Sequence, residues 1–176
     1  MITGTDVVKY SAVARVLHWA IAISIIVNIA LALGHDALEG VFAAMPVHKA
    51  IGITVLVLSI LRLLWRLGHT PPALPHHMPF WQRRLAHGLH WLFYFMIIAV
   101  PLSGWIMSSA GTHPLNWFGL FDIPKLPVNK GSFAAEVAHE GHEIIGLLYI
   151  PLIALHVGAA LYHHFVRGDQ VLRRML

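Results

Sequence analysis

Four long apolar stretches limit what this chain can become. They run roughly from Val13 to Leu33, Val47 to Leu67, Leu85 to Ser108 and Ile144 to Val166. Each reaches the ~20 residues that a helix needs to cross ~30 Å of hydrocarbon. Inside hydrocarbon every backbone N–H and C=O must be bonded within the protein, so such runs are read as helices. The fourth begins earlier, in polar surroundings near Glu136, and is placed over 139–166. Composition agrees, with 57% hydrophobic and 11% charged residues, against about 25% charged in a soluble domain. The expected fold class is all-α, an integral membrane four-helix bundle, with residues 1–176 as one domain. The first run is too long for a cleaved leader and has no small-residue exit, so it is expected to be a retained membrane helix.

Basic residues orient the bundle. Lys9, Arg15, Arg62, Arg66, Arg83, Arg84, Arg167, Arg173 and Arg174 fall at the N-terminus, the second connection and the C-terminus, whereas Lys49, Lys125 and Lys130 fall on the other side. Nine against three places both termini in the cytoplasm. The same placement beside apolar runs reads as topology rather than nucleic-acid binding, despite a pI near 9.8. "GHTPPALPHHMPF" is proline-rich and expected as an extended strap. "LNWFGLFDIPKLP", in the external connection, is apolar enough to lie on the membrane surface. Pro101 and Pro151 fall inside the third and fourth runs, where kinks are expected.

Histidine is the other anomaly, with fourteen against eight carboxylates and no cysteine. Without cysteine there are no disulfides, no thiolate iron–sulfur clusters and no covalent haem attachment. His142 and His156 lie fourteen residues apart in the fourth run, almost four helical turns, so they share a face about 21 Å apart. Ionisable groups at membrane depth are costly and functional. His18 matches the depth of His156, and His48 that of His142. Facing imidazoles from different helices can take both axial positions of one haem iron. Small residues follow each at i+4, namely Ala22, Gly52, Gly146 and Ala160, beside the imidazole on the same face. His87 and His90 are followed there by Trp91 and Tyr94 instead.

His87 and His90 share a face, one turn after Arg83 and Arg84, and serve as spare ligands, as propionate partners or in a quinone pocket. Arg62 and Arg66 suit carboxylates of haem propionates or lipid headgroups at the cytoplasmic side. Lys49 and Lys130 are the external candidates for propionate or donor contact. His76, His77, His163 and His164 read as solvated or facing headgroups. Trp19, Trp65, Trp91, Trp105 and Trp117 read as an aromatic belt. "HEGHE" lacks the spacing of a zinc-protease helix, because Glu143 stands where its second histidine belongs.

"VARVLHWA", "MPVHKAIG", "RLLWRLGHTPPALP", "RRLAHGLHWLFYFMIIAVPLSGW" and "HEGHEIIGLLYIPLIALHVGAALYHHF" together resemble the bacterial cytochrome b561 family over nearly the whole chain. The resemblance implies a multi-pass protein of the bacterial inner membrane with two haem b groups. It implies axial ligands at His18, His48, His142 and His156, and exchange of electrons with ubiquinone. One branch is similar to a superoxide oxidase, a superoxide:ubiquinone oxidoreductase. Another supplies the cytochrome b subunit of nickel–iron hydrogenases. Collecting superoxide asks for a positive surface, whereas the external side carries Asp36, Glu39, Asp122, Glu136, Glu140 and Glu143 against three lysines. The expected function is electron relay between a periplasmic donor and ubiquinone. Its rivals are a redox-complex anchor and a histidine-lined metal or proton transporter.

Overall fold

The computed structural model describes residues 7–38, 40–73 and 78–176. Glu39, His76 and His77 lie outside the described residues, as does part of the proline-rich strap. The four apolar runs form helices α1 (Ala12–Leu33), α3 (Ala44–Gly68), α4 (Phe80–Ala110) and α5 (Phe133–Phe165). A single turn, α2 (His35–Leu38), joins the first two. All four long helices have the length and composition to cross a bilayer. Large apolar side chains such as Val16, Ile23, Leu64, Phe95, Leu147 and Leu148 are exposed along them, as a lipid-facing surface requires.

Local chemistry sets the helix starts. Ser11 accepts from Ala14 N through its hydroxyl, and Ser132 accepts from Ala135 N, each bonding an N–H that the first turn leaves free. α4 begins at Phe80 behind Pro79, five residues ahead of the apolar run. Its first turn carries polar groups that suit a headgroup layer. Pro101 and Pro151 both lie within continuous helix.

The chain runs up, down, up, down. One face of the bundle, the terminal face, gathers the start of α1, the end of α3, the start of α4 and the end of α5. Here the C-terminal segment is tied back. Trp19 Nε1 donates to Met175 O at 2.8 Å, Tyr10 N donates to Arg174 O at 3.1 Å, and Arg15 and Arg174 donate to Leu176 O and Ala73 O.

The opposite face carries a hairpin, formed by the apolar segment after Pro114. β1 (Leu115–Trp117) pairs antiparallel with β2 (Phe121–Ile123), Leu115 opposite Ile123. The turn between them has φ 50° at Phe118 and 79° at Gly119, closed by Leu120 N to Trp117 O at 3.0 Å. Two central residues at positive φ suit the twist of a tight hairpin. The hairpin tucks onto α3: Leu115 is buried and Trp117 Nε1 donates to Thr54 Oγ1 at 3.0 Å. Leu115 and Trp117 therefore pack on α3, while Phe118, Leu120 and Phe121 stay exposed.

Midway along the bundle, Ile21, Val55, Met96, Ile97 and Tyr149 form the buried core. α1 packs on α3, α3 on α4, and α4 on α5. The close backbone packing of α5 is mainly with α4; toward α1 and α3 it is bridged by side chains.

Candidate functional site: two imidazole pairs

Those bridging side chains are histidines. On the hairpin side, His48 of α3 faces His142 of α5 with ring centres 6.0 Å apart and planes at 83°. On the terminal side, His18 of α1 faces His156 of α5 at 6.3 Å and 66°. All four are half-buried. Two imidazoles bound on opposite sides of one metal through bonds of about 2 Å have ring centres about 6 Å apart. Both pairs have that spacing.

The hairpin-side rings are held by their Nδ1 atoms. A main-chain carbonyl can only accept, so His48 Nδ1–H donates to Asn28 O at 3.0 Å and His142 Nδ1–H to Val100 O at 2.9 Å. Each Nε2 is thereby left with a lone pair, the tautomer a metal-ligating histidine needs. Ser103 Oγ lies 3.2 Å from His142 Nδ1 and itself donates to Val100 O.

His142 packs closely against Gly104 of α4. A Cβ at Gly104 would stand 3.0 Å from His142 Cε1 and 3.2 Å from Nδ1, too close for any other residue without displacing the ring. A Cβ at Gly146 would meet nothing within 4 Å, and one at Gly52 only Asn28 Nδ2 at 3.8 Å. The glycine that the ring geometry demands is Gly104, which sequence spacing did not single out. Its signal was there: a lone glycine inside an apolar helix marks a close approach. Asn28 Oδ1 is buried without a protein partner at the same depth. The spacing, tautomers and glycine cradle fit haem iron with two axial imidazoles.

The terminal side differs. His156 has a second imidazole neighbour, His90 of α4, at 6.0 Å and 89°, with Phe93 at 5.2 Å. His90 Nδ1–H donates to Ala86 O at 2.6 Å, so neutral His90 also presents a lone pair at Nε2. Among the described residues neither His18 nor His156 has a hydrogen-bond partner for its Nδ1. Arg62 Nη1 donates to Ala14 O at 2.9 Å, one turn before His18. A groove of about 440 Å³ opens here, lined by Lys9, Tyr10, Arg62, Trp65, Arg66 and Tyr94 among others. Burial pushes the Tyr10 phenol above its ordinary value, so it stays protonated and able to donate.

The remaining candidates are scattered. His87 and Arg84 are exposed on α4, with Arg84 over the Phe80 ring at 4.8 Å. Arg83 is half-buried, and none of the three lines the groove. Lys49 is half-buried beside His48 and Lys130 is exposed. His163, read as solvated, instead pairs with Asp169 at 2.5 Å, their side chains 14% and 5% exposed. The tail folds back through Asp169 N to His163 O, which brings the carboxylate to the ring. No group of three or more His, Cys, Asp or Glu side chains arranged to hold a metal ion occurs among the described residues.

Comparison with known proteins identifies the family. The profile of the family described as prokaryotic cytochrome b561 matches residues 9–176. Cytochrome b561 homolog 2 of Escherichia coli (strain K12) is 32% identical over 173 residues, covering 96% of this chain and 91% of that protein. A probable superoxide oxidase CybB of Yersinia pestis is 31% identical over 178 residues, covering 96% of each. Cytochrome b561 homolog 1 of Escherichia coli (strain K12) is 30% identical over 131 residues, 73% of this chain and 72% of that protein. The chain belongs to the prokaryotic cytochrome b561 family, a multi-pass bacterial membrane protein of electron transfer for which the family implies b-type haem.

Proposed function

We propose that the protein relays electrons through two haem b groups, from a periplasmic donor to ubiquinone. His48 and His142 hold the outer group and His18 and His156 the inner one. The observation that carries this reading is two interhelical imidazole pairs at two depths, each spaced for one iron. Haem supplies a one-electron centre whose potential the protein tunes. The chain's own groups do the rest. Carbonyls on α1 and α4 orient the outer imidazoles, and the apolar core between the pairs keeps water out. His18 rather than His90 pairs with His156 in this reading, because His90 is exposed and is followed at i+4 by Tyr94.

Quinone binds in this reading beside His87 and His90, with Arg83 and Arg84 nearby. With Nδ1 engaged by Ala86 O, His90 donates from Nε2 only after taking up a proton there. Serving quinone reduction therefore means receiving that proton from the aqueous side and passing it to a quinone oxygen. Arg66 balances the inner propionates and Lys49 and Lys130 the outer ones, while Arg62 is engaged by Ala14 O.

The nine-to-three basic asymmetry supports an inner-membrane protein with both termini cytoplasmic. A C-terminal reporter active only in the periplasm should then stay silent; a strong signal would reverse the assignment. The name of the Yersinia pestis relative makes superoxide the first donor to test. Asp36, Asp122, Glu136, Glu140 and Glu143 oppose collection of an anion. Quinone reduction by the purified chain supplied with superoxide supports the free-standing oxidase. Reduction only with a protein partner supports a subunit of a larger complex, such as a hydrogenase.

The deciding experiment is a pyridine haemochrome assay on fully loaded protein. Two haem b per chain, extractable into acid acetone, is the expected result; one per chain breaks the pairing scheme. None favours the histidine-lined transporter.

A further inference from the structure

We infer that the chain itself orders the two haem potentials, the inner site above the outer one, so that the bilayer is crossed downhill from the hairpin face to the terminal face. This rests on the two-haem reading above and adds a direction to it.

The outer ligands are both strengthened. His48 gives its Nδ1 proton to Asn28 O at 3.0 Å and His142 gives its own to Val100 O at 2.9 Å. Such a bond makes the opposite nitrogen a stronger donor. A stronger donor favours ferric over ferrous iron and lowers the potential.

Among the described residues the inner ligands have no such carbonyl, and for His18 the reason is visible. An imidazole on a helix can reach the carbonyl four residues back. His90 of α4 uses Ala86 O in this way at 2.6 Å. For His18 the corresponding carbonyl is Ala14 O, and Arg62 Nη1 occupies it at 2.9 Å. Arg62 thus takes the acceptor and also brings a permanent positive charge within one turn of the ring. Ferric bis-imidazole haem carries one more positive charge than ferrous, so that neighbour disfavours the ferric form. Both effects raise the inner potential. On the outer side, Lys49 adjoins His48 and Glu143 adjoins His142, and their opposite signs offset one another.

Balance is simple. With both groups bound, one electron from the external donor would rest on the group held by His18 and His156 rather than on the one held by His48 and His142. The donor is oxidised by one electron, and no bond or proton changes place.

The test is a redox titration of the full-length, haem-loaded protein, with each component assigned by its loss in His18→Ala or His48→Ala. The component lost with His18→Ala should be the higher one, by an electron partition of about tenfold or more, or about 59 mV for a one-electron couple. Arg62→Gln should lower that component about tenfold and leave the other in place, while Arg62→Lys should keep most of the effect. Reversed order in wild-type protein overturns the proposal, even if Arg62→Gln sheds haem. An unmoved inner potential in loaded Arg62→Gln also overturns it. A ratio of one haem per chain is seen before any titration, and overturns the two-haem reading and this proposal together.

Discussion

At the hairpin side of the bundle, His48 and His142 are held by two main-chain carbonyls, and His142 lies against a glycine. At the terminal side, His18 and His156 have neither support among the described residues. They share their space with a third imidazole, lie near Arg62, and adjoin a groove of arginines and tyrosines. The ring spacing is nearly the same at both, so the ligand chemistry is common and the surroundings differ. A clamped site suits an electron port with a fixed geometry. A site with spare donors and an adjoining polar groove suits exchange with a diffusible partner and its protons.

The largest effects should come from the histidines. His48→Ala or His142→Ala should remove one haem almost completely and spare the other, and His18→Ala or His156→Ala should do the reverse. Haem content with low-temperature spectra reads this out. If His18→Ala and His48→Ala deplete the same component, the comparison fails. His90→Ala sharpens it: loss of the inner haem would make His90 the partner of His156.

Next is the glycine cradle. Gly104→Val puts a side chain where His142 lies 3.0 Å away, and overpacking of this kind costs roughly 1–3 kcal/mol. Outer haem retention should fall about tenfold in a transfer assay to apomyoglobin. Equal loss from both sites would mean the helix, rather than the cradle, had been damaged.

With haem intact, His87→Ala or His90→Ala should slow reoxidation by a ubiquinone analogue about tenfold. Losing one neutral hydrogen bond costs about 0.5–1.5 kcal/mol, and more toward a charged group. Unchanged stopped-flow rates would remove quinone from that face and leave the arginine–tyrosine groove as the place to look.

The smallest effect belongs to the hairpin anchor. Thr54→Val deletes the acceptor of Trp117 and should cost about 1 kcal/mol, seen as a melting point a few degrees lower at full haem loading. The inner haem spectrum should not change. A perturbed inner spectrum would show that the hairpin is coupled through the whole bundle.

Much of this was legible before any coordinates. Membrane helices are dictated locally, since hydrocarbon leaves the backbone no other bonding partner, so the four apolar runs define the four long helices. Fourteen residues on a helix place His142 and His156 on one face whatever the rest of the chain does. Depth matching then suggested His48 and His18, because helices that cross the same slab share its coordinates. The sequence could not show that His90 comes as near to His156 as His18 does, since rotation of α4 about its axis is set by packing against α3 and α5. Nor could it show the roles of Asn28 O, Val100 O and Ala14 O. Every residue has a carbonyl, and only the helix crossings decide which ones meet a ring or a guanidinium. The hairpin and the His163–Asp169 pair escaped for a related reason. Each depends on a chain reversal that buries groups which read, residue by residue, as surface.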